Sequence, residues 1–158
     1  MNMLLKILLL SLVVWAKPNS YVSVHTIVQQ LPTGTTTNAI QFIEQDWNLA
    51  KQRAMQENKL IFVDVYASWC PPCMLLKTKT FQNKKVGDFF NQHFVNISID
   101  AEKSIGPQVA RYFGVTAYPT LVFTDGAGKP VLYAMGYMGT KDILKFAQAA
   151  LDKLSATK

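Results

Sequence analysis

Cysteine is scarce in this sequence of 158 residues, which contains only Cys70 and Cys73. A bridge between two residues so close in sequence closes too short a loop to hold a small fold together. Two thiols also cannot supply a four-cysteine zinc site. Since hydrophobic residues make up 49% and charged residues 16%, the composition is that of a globular protein, and the length suits one domain.

A dense run of one charge is also lacking, although the formal net charge is +6. The basic residues are concentrated only at Lys77, Lys79, Lys84 and Lys85, which we interpret as a solvated helix face rather than an anion-binding patch. The distribution of charge therefore gives no support to a nucleic-acid partner.

The sequence has no apolar run of the ~20 residues that a membrane-spanning helix needs. Residues 7–16 form a shorter apolar run, which follows Lys6 and ends at Val14-Trp15-Ala16. This layout predicts a signal peptide over residues 1–16 that is cleaved after Ala16, and so a periplasmic or secreted protein. An uncleaved N-terminal anchor is the alternative. We expect residues 17–38 to be a flexible arm or linker, in which residues 21–28 could add an edge strand.

Hydrophobic spacing predicts alternating helices and strands over residues 39–158, which we assign to one domain. Helices are expected at 40–57, at 72–80 with a broken continuation through 86–91, at 108–113 and at 141–154, the last capped by Thr140. Strands are expected at 60–67, 94–100, 120–124 and 131–135, the last two as a hairpin. The pattern indicates an α/β fold with a central mixed sheet flanked by helices.

The two cysteines are predicted to lie where a central strand passes into a helix. At the start of that helix the Cys70 sulfur would meet the positive end of the helix dipole, which favours the thiolate that attacks disulfides. Pro71 and Pro72 suit the first turn because amides there have no intrahelical acceptor. They leave the amide of Cys73 as the nearest donor to the Cys70 sulfur. We therefore predict a redox-active pair that needs no cofactor.

A metal site is one alternative, because two thiolates can bind a soft monovalent ion. His25 lies in the predicted arm and His93 lies well past the cysteines without a partner, so no metal site is predicted. A purely structural disulfide is the other alternative, and it is poorly suited because so short a bridge constrains little chain entropy.

From about Ile40 to Leu154 the chain resembles thioredoxin-fold proteins. It is most similar to extracytoplasmic thioredoxin-like domains typified by the C-terminal domain of the membrane thiol:disulfide interchange protein. The residues that carry the resemblance are Lys59 to Cys73, which end in Trp69-Cys70-Pro71-Pro72-Cys73, then Lys79-Thr80-Phe81, Tyr112 to Thr120, and Gly136. The cysteine pair becomes a specific signal in combination with Tyr118-Pro119-Thr120.

The resemblance implies roles for the matching residues. Cys70 is expected to be the exposed nucleophile that forms a mixed disulfide with a partner, and Cys73 the resolving thiol. Pro119 is expected to be a cis-proline facing the cysteines, although an X-Pro bond on its own favours trans. The loop of Tyr118, Pro119 and Thr120 would bind a partner peptide. Tyr118 would shape partner choice and keep metal away from the thiols.

Asp64 is implied to be a buried carboxylate behind the cysteines. Together with Trp69, Pro71 and Pro72 it is expected to support the cysteine pair. Desolvation would raise its pKa and suit it to take the proton of Cys73 through a water. Many thioredoxins have a lysine on the next strand near this carboxylate, and the matching position here is Asn96. Without that charge we expect Asp64 to hold its proton more readily.

The implied function is that of an extracytoplasmic thiol:disulfide oxidoreductase that reduces partner proteins. It would act as a monomer and receive electrons from a membrane donor. Strongly oxidising relatives often have a histidine between the cysteines, so Pro71-Pro72 favours a reductant. The alternatives are a dithiol oxidant or isomerase of exported proteins, and a non-catalytic module that binds peptides or copper.

Overall fold

A five-stranded mixed sheet with the strand order β1-β3-β2-β4-β5 forms the centre of the protein. The computed structural model describes residues 38–156, so the predicted signal peptide, most of the arm and its strand lie outside the described residues. The strands are β1 (Ile43–Glu44), β2 (Leu60–Tyr66), β3 (Phe94–Asp100), β4 (Thr120–Thr124) and β5 (Pro130–Met135). The helices are α1 (Trp47–Glu57), α2 (Pro71–Leu75), α3 (Lys84–His93), α4 (Gly106–Tyr112) and α5 (Thr140–Ser155), with a π-helical turn at Leu76–Thr80.

Strand β2 lies at the middle of the sheet, parallel to β3 and antiparallel to β4. Its side chains alternate between two apolar cores, with Phe62 in one and Val63 in the other. In the first core the ring of Phe62 packs 4.7 Å from that of Phe90 in α3. Burial on both faces explains the nearly continuous apolar run of this strand. The predicted mixed sheet flanked by helices is therefore confirmed.

The first helix begins later than the apolar spacing predicts. Asp46 accepts a hydrogen bond from the amide of Leu49 at 2.9 Å and caps α1, which starts at Trp47 rather than at residue 40. Gln45 precedes this cap with a φ of 60°, which interrupts a helix. Before it, Ile43 pairs with Ile97 of β3 as part of the short edge strand β1. The apolar residues at the predicted helix start instead belong to an extended segment.

Three further boundaries differ from the prediction. The helix expected to reach residue 80 changes at Leu76 into the π-helical turn, where the amide of Phe81 donates to the carbonyl of Leu76. Helix α4 begins at Gly106, where an added Cβ would lie 1.9 Å from the carbonyl oxygen of Asp100. At α5 the cap is Gly139, so Thr140 is the first residue of the helix. Within residues 38–156 no helix has the length and apolar character needed to cross a membrane.

Candidate active site

A disulfide joins Cys70 and Cys73 at the start of α2. Cys70 is the N-cap residue, with an extended backbone, and its sulfur accepts a hydrogen bond from the Cys73 amide at 3.2 Å. Pro71 and Pro72 fill the first two positions of the helix. The predicted cap, its donor and the placement of both prolines are all confirmed. The Cys70 sulfur thus lies where the helix dipole and one amide stabilise negative charge.

The disulfide is covered rather than open to solvent. Cys70 and Cys73 are each only 2% exposed, so the predicted exposure of Cys70 is wrong for the disulfide form. Tyr66 and Tyr118 are partly buried and pack against the cysteines and Ala67. Both cysteines are therefore nearly inaccessible to solvent in the disulfide form.

Trp69 lies beside this cover and remains 64% exposed. Its ring packs edge-on against that of Tyr118, with the centroids 5.9 Å apart. Its Nε1 donates a hydrogen bond to Oε1 of Glu102 at 2.9 Å, which ties it to the loop after β3. An indole held at its polar edge, with most of its surface exposed, provides an apolar contact surface next to the disulfide.

The loop before β4 contains a cis peptide bond between Tyr118 and Pro119, as the resemblance implies. The carbonyl of Pro119 accepts from the amide of Gly136 at 2.8 Å. Thr120 is buried, and its hydroxyl donates to the carbonyl of Ala117 at 2.7 Å. The side chain of Thr120 thus serves the loop itself, and peptide binding by this loop stays a prediction.

Asp64 is buried in β2, at 1% exposure, as predicted. Burial raises the pKa of its carboxyl to about 7, and this effect outweighs the opposing charge of Lys77 and a hydrogen bond from Ser98. The Ser98 hydroxyl donates to Oδ2 at 3.4 Å, while Oδ1 has no hydrogen-bond partner among the described residues. A carboxyl group with this pKa can exchange a proton near neutral pH. Its role toward Cys73 stays a prediction.

Asn96 does not face Asp64 across the sheet. It pairs with Phe62, and its amide donates to the Gln41 carbonyl at 3.4 Å and to Asn91 Oδ1 at 3.2 Å. Ser98 is the residue of β3 directly opposite Asp64. The polar neighbour on the adjacent strand is therefore a neutral hydroxyl.

The positive charge near Asp64 comes from Lys77, which sequence analysis missed. Lys77 is half-buried, and its Nζ lies 3.0 Å from the centroid of the Tyr66 ring. The interpretation of this lysine as part of a solvated face is therefore wrong. The pKa of Asp64 is nevertheless raised despite the charge of Lys77, in line with the expectation that Asp64 holds its proton readily. Lys77 follows Cys73 by four positions, a spacing that places two residues on one helix face and could have indicated it.

Within residues 38–156, no three His, Cys, Asp or Glu side chains are grouped as a metal site would require. His93 packs its ring 4.6 Å from that of Phe89. His25 lies outside the described residues.

Comparisons with known proteins agree with this geometry. The family model described as a thioredoxin-like domain matches residues 47–151. Thioredoxin H4 of Arabidopsis thaliana is 36% identical over 77 residues, which are 49% of this chain and 60% of that protein. The thiol:disulfide interchange protein DsbD of Tatumella citrea is 30% identical over 112 residues, 69% of this chain and 19% of that protein. This chain thus spans less than two thirds of either relative.

Solved structures share the same fold. The solution structure of a proposed disulphide-isomerase from Bacteroides thetaiotaomicron has a TM-score of 0.64 and 38% identity, covering 72% of this chain and 93% of that one. A thioredoxin from Thermus thermophilus has a TM-score of 0.65 and 21% identity, covering 75% and 95%. The oxidised C-terminal domain of DsbD from Neisseria meningitidis has a TM-score of 0.55 and 18% identity, covering 65% and 91%. The last two are similar to this chain in fold alone.

Proposed function

The chain belongs to the thioredoxin-like family, as a thiol:disulfide oxidoreductase of thioredoxin fold, and from this premise we propose that it reduces disulfides of partner proteins outside the cytosol. The observation that carries the proposal is the Cys70 sulfur at the start of α2, where it accepts a hydrogen bond from the Cys73 amide. This environment favours the Cys70 thiolate once the pair is reduced.

In the proposed cycle the Cys70 thiolate attacks one sulfur of a partner disulfide and releases the other as a thiolate. Asp64 takes the proton of the Cys73 thiol, and the Cys73 thiolate then attacks the Cys70 sulfur of the mixed disulfide. The Cys70–Cys73 disulfide forms and the second partner thiolate leaves, taking a proton from solvent. Two electrons pass from the dithiol to the partner, so each cycle needs a dithiol donor to reduce the pair again.

We propose a membrane protein of the thiol:disulfide interchange type as that donor. The match to DsbD supports the proposal, although it covers only 19% of that protein. A signal peptide at residues 1–16 would place the chain on the same side of the membrane as the donor's exposed thiols. Cell fractionation of the tagged full-length chain tests this location. Recovery in the cytosol would contradict it.

The cysteines provide the test of the reaction. Cys70→Ser should abolish reduction of insulin disulfides, since it removes the attacking thiolate. Cys73→Ser should accumulate covalent complexes with partners, which mass spectrometry can identify, because the mixed disulfide can no longer be resolved. Full insulin-reducing activity in Cys70→Ser would contradict the assignment. If a variant lacking both cysteines still bound partner peptides with unchanged affinity, a non-catalytic binding module would be favoured instead.

The direction of transfer is tested by the reduction potential of the pair. A value near the ~−270 mV of thioredoxin would support a reductant, and one near ~−120 mV would indicate an oxidant. The similarity to a proposed disulphide-isomerase makes isomerisation the second candidate. Recovery of activity from scrambled ribonuclease, in the absence of an added reductant, would favour it.

A further inference from the structure

A cleft of about 520 Å³ lies between the start of α1 and helix α4, and we refer to it as the α1–α4 cleft. Its volume is within the ~300–1,000 Å³ that is usual for ligand sites. The apolar part of its lining comes from Trp47, Ile105, Val109 and Tyr112. Tyr112 is 61% exposed, and its hydroxyl donates to the Gly128 carbonyl at 3.3 Å. The cleft therefore presents two aromatic rings, one of them held at its hydroxyl and largely open to solvent.

The charged side chains that line the α1–α4 cleft, Glu44 and Asp46, are both acidic. Neither forms an ion pair within residues 38–156. Burial raises the pKa of Glu44, and the charge of Lys77, which lines a different cleft, lowers it. The amino ends of α1 and α4 each contribute roughly half a positive charge, which two full negative charges exceed. The cleft is therefore negative, although the chain as a whole has a formal net charge of +6.

Aromatic rings and carboxylates in one cleft favour a planar organic cation as the ligand. The guanidinium group of arginine stacks on aromatic rings and pairs with carboxylates through two parallel hydrogen bonds, whereas the ammonium group of lysine is a point charge. Lys51 places its Nζ 6.0 Å from the centroid of the Trp47 ring, at the outer limit of a cation–π contact, but it does not line the cleft. The occupant that fits is an arginine side chain from another molecule.

We propose that the α1–α4 cleft binds an arginine side chain of a partner protein whose disulfide is presented to the cysteine pair. The proposal deepens the proposed function and rests on it. Glu102 accepts the hydrogen bond from Trp69, the neighbour of Cys70, and Ile105 follows Glu102 by three residues. Three residues span at most ~11 Å, so a wall of the cleft belongs to the same loop that holds the indole beside the disulfide. Partners with an arginine within reach of their disulfide are therefore the preferred substrates.

Binding is tested on the oxidised protein, which needs no redox reaction. NMR spectra are recorded during titration with N-acetyl-arginine amide and, separately, with N-acetyl-citrulline amide, which has a similar shape and no charge. The arginine compound should shift the signals of the Trp47 indole and the Ile105 amide to saturation, and it should bind at least about fivefold more tightly than the citrulline compound. Glu44→Gln combined with Asp46→Asn should remove this preference, and asparagine retains the capping of α1.

Two further variants separate the charge from the aromatic contact. Glu57→Gln is the matched control, because Glu57 is a carboxylate at the other end of α1 that pairs with Lys59 at 2.8 Å. It should leave the preference for the arginine compound unchanged. Tyr112→Leu keeps an apolar residue but removes an aromatic ring, so it should weaken binding of the arginine compound by about threefold.

A reductase assay links this binding to the reaction. An arginine is placed at successive positions along a cystine-bridged peptide, and at one or more positions kcat/KM should exceed that of the citrulline peptide by about fivefold. The Glu44→Gln/Asp46→Asn variant should not distinguish the two peptides. The absence of an arginine effect at every position would overturn the proposal.

The binding measurements can also contradict the proposal. Equal affinity of the wild-type protein for the two compounds would overturn it, and so would shifts confined to residues outside the cleft. If the Trp47 and Ile105 signals moved as the protein concentration alone was raised, a second copy of the chain would be the occupant, and the proposal would be wrong. Failure of the cysteine tests would refute the proposed function while leaving the binding result intact.

Discussion

Asn in place of Asp64 should remove a pH-dependent loss of stability from the oxidised protein. The pKa of Asp64 lies at about 7 in the folded chain against an ordinary value of 3.8, so between these values the folded protein retains a proton that the unfolded chain has lost. The stabilisation that comes from the Asp64 proton is therefore complete below about pH 4, and it is lost as the pH rises to about 7. At 1.36 kcal/mol per pH unit, a difference of about three units corresponds to about 4 kcal/mol.

Urea unfolding followed by intrinsic fluorescence, repeated from pH 4 to pH 8, measures this effect. The free energy of unfolding of Asp64→Asn, relative to that of wild type, should rise by about 4 kcal/mol across the range. Asp88→Asn is the matched control, because Asp88 is exposed and pairs with Lys84 on the surface of α3. Its difference from wild type should stay within about 1 kcal/mol at every pH. Parallel curves for Asp64→Asn and wild type would refute the burial argument.

Two further predictions concern the proton transfer and the packing of the fold. In stopped-flow assays Asp64→Asn should slow resolution of the mixed disulfide more than its formation, because only resolution requires that the Cys73 proton be removed. Equal slowing of both steps would indicate a folding effect. Gly106→Ala should reduce the free energy of unfolding by at least about 2 kcal/mol, because its Cβ would lie 1.9 Å from the Asp100 carbonyl oxygen. Gly139→Ala has open space around it and should reduce the free energy of unfolding by no more than about 1 kcal/mol, the loss expected when alanine replaces a favourable N-cap residue. Equal chemical-denaturation midpoints for the two glycine variants would contradict the packing argument.

The features that follow from short-range physics could be predicted from the sequence. Strand β2 has a nearly continuous apolar run, and burial on both faces imposes that pattern. The capping of α2 depends on neighbours within three residues, so Cys70, its prolines and its amide donor were all predictable. The cis bond before Pro119 is different, since only the resemblance to a family indicated it.

The missed features depend on contacts between distant segments. The apolar residues near Ile43 fit a helical period, but pairing with Ile97 of β3 and the backbone of Gln45 make an edge strand instead. Lys77 looks like a surface lysine in sequence, and only the fold brings it to the ring of Tyr66. The spacing of apolar residues predicts which face of a helix or strand is buried. It does not predict which charged side chain the tertiary structure brings into the interior.

The π-helical turn at Leu76–Thr80 has a consequence for changes in chain length. A π-helical turn contains more residues than an α-helical turn. It therefore determines the direction in which the side chains of Leu76–Thr80 project relative to those of α2, which carries the cysteines. Loss of one residue within it would turn the remaining residues up to Thr80 by about 100° around the helix axis and would shift the connection to Asn83, the cap of α3. The cysteines would keep their place at the helix start. Chain length in this segment is therefore under a constraint separate from that on residue type.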